Sequence, residues 1–440
     1  MSALARLVQN LGACVSGSDI VPTEIKGVKT FCLHDEKNVV GADVVVYSCA
    51  IKENNVELAA ARKHGIKTVS RGEFLGQIAM LYKNVISISG MHGKTTTTEM
   101  LAEIFILAGK NPTVHLGGES VMMGGNLLLG GREFFITEAC EFCDSFLGLN
   151  SEVGAILNIE QEHMDYFKTK RNVEKSFSSF AQNCKNIVIA NSNIEKQNNK
   201  QKCPMLLRKQ RGDNNLKATL AHEDENIITI GKGGYVAKNI SCNKENLLVF
   251  DCYYKTRCLG KIFLRAFGIH NVKNALFAIA ISRKYGIDFA IIQKALSNFK
   301  GVKRRMEIKS PSPLVICDYA HHPSEIRASI AATKLQILKR THKKLLVVFQ
   351  PHTFSRTQAF FDDFVGVLKM SDEIFLFKTF PARENEGQGK NAKDLYREIK
   401  KTQKSCRYFE DVAKLKKAVK NLNKSHVTLV LGAGDLYDYF

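Results

Sequence analysis

Apolar positions in this chain fall into two spacings that take turns, contiguous or alternate runs that suit strands and three-and-four repeats that suit helices. Residues 1–83 open with a helical repeat over Ser2 to Leu11. Short apolar strands follow near Cys14-Val15, Val28 to Phe31 and Asp43 to Tyr47, then a helix over Val56 to His64. Such alternation predicts a parallel, Rossmann-like sheet. Residues 84–299 begin with the buried-type run Val85-Ile86-Ser87-Ile88, followed by Met100, Leu101, Ile104, Phe105 and Ala108 at helical spacing. Strands Phe134 to Thr137 and Val153 to Ile159 come next, then a polar insertion, β-like segments and a helix from near Asn271. In residues 300–440, strands Leu314 to Cys317, Leu345 to Phe349, Glu373 to Phe377 and Thr428 to Leu431 are predicted. They alternate with helices over Ser324 to Lys339, Thr357 to Met370, Ala392 to Lys400 and Asp411 to Leu422. The expected fold is α/β in three domains, with Rossmann-like first and last domains.

Between the first central strand and its helix stands Ser89-Gly90-Met91-His92-Gly93-Lys94-Thr95-Thr96-Thr97-Thr98. Glycines let the backbone approach an anion, Lys94 supplies positive charge, and hydroxyls at a helix start hold Mg²⁺ while free N–H groups face phosphate. The spacing Gly-x-x-Gly-Lys-Thr-Thr is a shortened Walker A loop, with Ile88 where the longer form has its first glycine. The central domain is therefore predicted to be of P-loop ATPase type, with Gly90, His92, Gly93, Lys94, Thr95 and Thr96 around ATP or GTP.

Composition narrows the class. The 440 residues favour about three domains, and 45% apolar content is enough to give each a core. Met1 to Ile20 carries Arg6, Gln9, Asn10 and Asp19 where a secretory segment needs an apolar stretch, and no run of about 18 to 20 apolar residues suits a membrane span. A cytoplasmic protein without membrane partners is expected. The 12 cysteines are scattered, as in a reducing compartment, and the pair Cys140 and Cys143 lacks a second pair or a histidine cluster at zinc spacing. The net charge of +20 raises the possibility of nucleic acid. Its lysines gather in Glu195 to Arg211 and Lys400 to Lys424 without interleaved aromatic residues, so solvated helix faces and loops are expected, and no nucleic-acid partner.

Ligands of an open parallel sheet bind outside the carboxyl ends of its strands. Three polar clusters fall at such ends: the loop above, Glu138-Ala139-Cys140-Glu141, and Glu160-Gln161-Glu162-His163-Met164-Asp165. Mg²⁺ prefers oxygen ligands shared with phosphates, which makes Thr95 and Glu138 candidate ligands, with His163 near a second metal position. Helix capping by Glu138 and a structural His163 are the alternatives. Phe267-Gly268-Ile269-His270-Asn271-Val272-Lys273-Asn274 places two amides on one helix face, able to read an adenine edge or to cap the helix. Further on, Lys303-Arg304-Arg305, Asp318-Tyr319-Ala320-His321-His322-Pro323-Ser324-Glu325 and Gln350-Pro351-His352-Thr353-Phe354-Ser355-Arg356 lie near strand ends. A guanidinium there suits phosphoryl charge or a carboxylate. The His322-Pro323 step reads as a helix start in preference to a metal site of Asp318, His321, His322 and Glu325.

In this order, and with Ser16-Gly17-Ser18-Asp19 at the front, the clusters resemble the muramyl ligases of peptidoglycan synthesis over essentially the whole chain. The His-His-Pro and Gln-Pro-His pair favours the alanine-adding branch. The resemblance implies segments 1–83, 84–299 and 300–440 for UDP-sugar, ATP and amino acid, and a monomer or homodimer. It implies ATP and Mg²⁺ as cofactors, UDP-N-acetylmuramate and L-alanine as substrates, and an acyl phosphate on the way to an amide. By it, Lys94, Glu138, His163, Arg305 and Asp318 are catalytic, and Thr95 and Glu138 bind one Mg²⁺ with His163 on the other. His270, Asn271 and Asn274 contact the nucleotide, and Arg305 with Asp318 completes the ATP site. Ser18, Asp19, Ser48, His321, His322, His352 and Arg356 face substrate, with Arg356 pairing the alanine carboxylate.

The chain departs from the family pattern in places. Thr353 stands where many relatives carry arginine, Cys140 and Cys143 where many carry aspartate, and Glu162 replaces a usual aspartate. Family members begin with a strand and a glycine-rich turn for the UDP diphosphate, whereas this chain starts at the helix that follows. The expectation is that Met1 is internal to a longer reading frame, or that UDP-sugar is bound poorly. Competing readings are another muramyl or folylpolyglutamate-type ligase, a turnover-deficient relative, and a basic P-loop ATPase acting on nucleic acid, which predicts salt-sensitive, nucleic-acid-stimulated hydrolysis.

Overall fold

The structure is a computed structural model that describes the 440-residue chain apart from Pro22, Gln161, residues 191–225, Lys339, Arg340, His342, Arg383, residues 386–388, Lys404 and the Asp165 side chain. The lysine-rich stretch Glu195 to Arg211 thus lies outside the described residues. Packing divides the chain into two units, one of residues 1–238, 252–260 and 274–296, the other of residues 239–251, 261–273 and 297–440.

The first unit opens with helix α1 (Ser2–Asn10), strands β1 (Ser16–Asp19), β2 (Lys29–Cys32) and β3 (Val44–Tyr47), helix α2 (Val56–Lys63), β4 (Lys67–Ser70) and α3 (Arg71–Ala79). The predicted elements are present with the first strand shifted, Ser16–Asp19 where Cys14-Val15 was expected, and the expected single sheet takes the form of two parallel pairs, β1 with β2 and β3 with β4. Asn55 caps α2, and Ser70 with Glu73 forms a capping box on α3, which satisfies N–H groups that a helix start leaves orphaned.

The chain continues through β5 (Asn84–Ser89), α4 (Lys94–Leu107), β6 (Thr113–Ser120), β7 (Gly125–Leu128), β8 (Phe134–Glu138), β9 (Ser151–Ile156), α5 (Lys170–Gln182), β10 (Cys184–Ala190) and β11 (Ile227–Ile230). These strands stand in the order β11-β10-β9-β5-β8-β6-β7, parallel except for β7 against β6. Because β5 lies between β8 and β9, the three predicted polar clusters leave neighbouring strands on one edge. Residues on both sides of position 83 share one apolar core: Leu4 and Leu7 of α1, Leu75 and Ile78 of α3, Val85 of β5, Phe135 of β8, and Phe146, Phe177 and Phe180. Burying side chains of this size stabilises by about 1.5–3 kcal/mol each.

Strands β12 (Tyr235–Cys242), β13 (Leu248–Tyr254) and β14 (Arg257–Leu264) and helices α6 (His270–Lys284) and α7 (Phe289–Ser297) follow. In the second unit come β15 (Glu307–Pro311), β16 (Leu314–Asp318), α8 (Pro323–Thr333), β17 (Lys344–Phe349), α9 (Phe354–Ala359), α10 (Phe361–Leu368), β18 (Glu373–Phe377), α11 (Ala392–Lys400), β19 (Cys406–Phe409), α12 (Val412–Leu422) and β20 (His426–Leu431). The six-stranded order is β15-β16-β20-β17-β18-β19, parallel except for β15.

Two predicted helices are shorter than expected. The one from Ser324 passes into a π-helical stretch, Lys334–Leu338, and the one over Thr357 to Met370 divides at Phe360, whose φ of −116° is not helical. Buried Phe364, Val367 and Leu368 pack on one side of this sheet, and Leu415 and Val419 on the other.

Candidate active site

The phosphate loop follows from its sequence. Gly90 and Gly93 have φ of 136° and 89°, which side-chain-bearing residues rarely adopt. A Cβ on Gly93 would lie 2.7 Å from Asn274 Oδ1, so the predicted nucleotide amide Asn274 packs on the loop itself. Asn158, just after β9, braces the loop from the other side: it accepts the His92 N–H at 2.9 Å and donates to the His92 carbonyl at 2.8 Å. The His92 imidazole lies 3.3 Å from Glu160. Helix α4 then starts with Lys94, and Thr95 and Thr96 are buried in its first turn. Its N-terminal N–H groups and dipole suit an anion.

Lys94 bends back over this loop. Its ammonium donates to the Gly90 carbonyl at 2.5 Å, to the Met91 carbonyl at 3.2 Å and to Glu141 at 2.9 Å. The other Glu141 oxygen lies 3.2 Å from the same ammonium and 3.5 Å from His163 Nε2. Only 1% of the Glu141 side chain is exposed, so the pair is buried. Burial opposes the charge on Lys94, yet Glu141, then Cys140 and Glu138, hold its pKa above the ordinary value. Burial likewise opposes the charge on Glu141, and the Lys94 ammonium and the His163 hydrogen bond hold its carboxyl below the usual range. Glu138, at the end of β8, does not cap a helix. It accepts the Gly117 N–H at 2.6 Å.

The backbone around Glu141 is strained. Cys143, Asp144 and His163 have φ of 52°, 53° and 54° without being glycine, a conformation that costs on the order of 1–3 kcal/mol each and persists where the surroundings over-determine it. Asp144 is held by the Tyr166 hydroxyl at 2.8 Å and by Ser176, and the Phe142 and His163 rings lie 4.8 Å apart. Neither Cys140 nor Cys143 takes part in a disulfide among the described residues.

At the front of the chain Ser18 donates to Glu57 at 2.7 Å and lies 3.1 Å from His34 Nδ1, while Asn38 donates to the other Glu57 oxygen at 2.7 Å. Asp19 accepts the Val21 N–H, and Ser48 the Ala50 N–H. His34, in the loop after β2, Asn38, in a short 3-10 turn, and Glu57, on α2, do not stand out as a group in the sequence because they lie apart along the chain.

In the second unit, neighbouring arginines divide their tasks. Arg304 is an anchor, donating to the Gly432 and Gly434 carbonyls and lying 5.0 Å from both the Tyr319 and Tyr437 rings. Arg305 lies over Tyr319 and 3.9 Å from Glu325. Asp318 accepts the Ala320 N–H and the Ser329 hydroxyl, and burial raises its carboxyl to about 6 against the pull of Arg305. His322 and Glu325 form a capping box on α8, the helix start expected from Pro323. Burial lowers His321 and His352 to about 4, so both are neutral at pH 7. Arg356 Nη1 lies 3.5 Å from His352 Nδ1. Glu384, unsuspected in the sequence, accepts the Phe354 and Ser355 N–H groups at 2.6 and 3.0 Å and fixes the segment bearing Arg356. At the start of α6, Asn271 donates to the Phe267 carbonyl at 2.7 Å, and His270 is the first residue of the helix.

Three family models cover the chain. "Mur ligase family, catalytic domain" matches residues 1–83, "Mur ligase middle domain" residues 88–282, and "Mur ligase, glutamate ligase domain" residues 304–434. The chain is 37% identical to a UDP-N-acetylmuramate–L-alanine ligase of Caldicellulosiruptor bescii, over 99% of this chain and 94% of that protein. It is 38% identical to one of Persephonella marina, over 99% and 92%. The solved UDP-N-acetylmuramate–alanine ligase of Thermotoga maritima superposes with a TM-score of 0.80 at 25% identity, covering 100% of this chain and 94% of that one. A murein peptide ligase of Psychrobacter arcticus shares the fold, with a TM-score of 0.65 at 22% identity over 100% and 94%.

Proposed function

The chain belongs to the Mur ligase family, and we propose that it joins L-alanine to the carboxylate of UDP-N-acetylmuramate at the expense of ATP, in the cytoplasmic synthesis of peptidoglycan precursors. Segments 1–83, 84–299 and 300–440 serve UDP-sugar, ATP and amino acid in this reading. One observation carries it: Lys94, Glu138, Glu141 and His163 converge at the carboxyl ends of β5, β8 and β9, in a chain that is similar to alanine-adding ligases over nearly its full length.

A free carboxylate is a poor acyl donor because its leaving group would be oxide. Phosphorylation by ATP converts it to an acyl phosphate, the alanine amine attacks that carbonyl, and phosphate leaves as the amide forms. Lys94 and the start of α4 stabilise the charge spread over the transferring phosphoryl group. The Thr95 hydroxyl and the Glu138 carboxylate are hard oxygen donors at the loop and fit Mg²⁺, with His163 beside a second ion. When bound, Mg²⁺ screens the phosphate charge there. In the second unit Arg356 pairs with the alanine carboxylate, and the neutral His352 beside it adds no competing charge.

Phosphate release is measured with purified protein, ATP, Mg²⁺ and UDP-N-acetylmuramate, with and without L-alanine. Release that needs both substrates, with amide product, is expected, and Lys94→Ala should lower it by about two to three orders of magnitude. Hydrolysis stimulated by DNA or RNA and independent of alanine would overturn the reading.

A further inference from the structure

The Lys94 ammonium is fully engaged, with two carbonyls of its own loop and with both oxygens of the buried Glu141 carboxylate. A phosphate approaching the start of α4 can engage Lys94 only by displacing one of these partners. Glu141 is the anion among them, so it competes for the ammonium with the same charge that a phosphate brings. The same carboxylate touches His163, which joins a group on β5's loop to one beyond β9. Cys143 and Asp144 hold the strained turn that presents it.

Resting on the ligase reading above, we propose that Glu141 is a positioning residue that acts as an exchangeable counter-ion. It holds Lys94 and His163 in register, and it releases the Lys94 ammonium to the nucleotide phosphates when they bind. Two opposite effects follow from one carboxylate. Removing its charge frees Lys94 and favours nucleotide binding, and it also loosens the lysine and imidazole that must be aligned for phosphoryl transfer.

Glu141→Gln keeps the size of the side chain and removes the charge. Equilibrium titration of ATP in EDTA should show Kd falling about three- to tenfold, while kcat for alanine-dependent phosphate release drops about tenfold or more, a tenfold change being about 1.4 kcal/mol. In a Lys94→Met background most of the gain in affinity should vanish, which marks the lysine as the route. Glu141→Asp, which retains the charge on a shorter stem, should recover most of kcat and show a smaller tightening. It carries the test alone if the glutamine variant does not fold.

A residue needed only for packing would lower activity and folded yield without tightening ATP binding. Unchanged or weaker ATP affinity in Glu141→Gln, or in Glu141→Asp where that variant alone folds, overturns the proposal. Absence of ATP binding by the native protein with Mg²⁺ present would instead sink the ligase reading.

Discussion

Gly76 of α3 packs directly on the carbonyl of Gly148, backbone against backbone, and Gly72 does the same with Ser145. Neither pair leaves room for a Cβ. The helix that closes residues 1–83 is thereby keyed to the turn that leaves Glu141 and returns to β9, within one core.

Gly76→Ala should therefore destabilise by about 1–3 kcal/mol, the usual cost of overpacking, and lower alanine-dependent phosphate release as well. Gly366, exposed in the middle of α10 with no atom within 4 Å of the place a methyl group would take, is the control. Gly366→Ala should stabilise by about 0.5–1 kcal/mol through helix propensity. Urea unfolding of both variants checks the pair, and equal midpoints would contradict the packing argument.

Asn158 makes two hydrogen bonds to the backbone of His92. Asn158→Ala leaves both groups without that partner at a cost of about 1–3 kcal/mol, part of which appears as a looser phosphate loop. The expected result is weaker ATP binding by about tenfold, with the KM for L-alanine unchanged. ATP titration and steady-state kinetics measure the two separately.

Arg356 should act on the other substrate. A charge-assisted pair with a carboxylate contributes about 1.5–3 kcal/mol, so Arg356→Ala is expected to raise the KM for L-alanine by about tenfold or more and leave ATP affinity as it is. A shift in ATP affinity with no change for alanine would reverse the assignment.

Asp318 gives a pH test whose sign is fixed by its environment. Burial raises its carboxyl from 3.8 to about 6. Between those values the folded protein keeps a proton that the unfolded chain releases, so this group's contribution is most favourable at low pH and is lost as pH rises through 6. Asp318→Asn retains groups to meet the Ala320 N–H and the Ser329 hydroxyl but carries no charge. Relative to the native protein it should gain about 1–3 kcal/mol on going from pH 4 to pH 8, even as activity falls. Parallel unfolding curves for the two proteins at both pH values would rule out the buried-charge explanation.

Much of this molecule is legible in its sequence. The run Val85 to Ile88, the glycines at 90 and 93 and the helical repeat from Met100 specify strand, loop and helix through interactions a few residues long, and β5 (Asn84–Ser89) and α4 (Lys94–Leu107) contain the strand run and the start of the repeat. Pro323 and Glu325 announce the capping of α8 in the same way. The breaks at Phe360 and after Thr333 are not visible there, because apolar spacing continues through both while packing on the sheet sets where the helix axis turns.

The division of the first sheet into two pairs, the split roles of Arg304 and Arg305, and the direct pairing of Lys94 with Glu141 arise only when strands find their neighbours. Short-range geometry is written in adjacent residues. The partner of a buried charge depends on which strand tips lie side by side, and in the order β9-β5-β8 those tips come from parts of the chain 47 residues apart for Lys94 and Glu141.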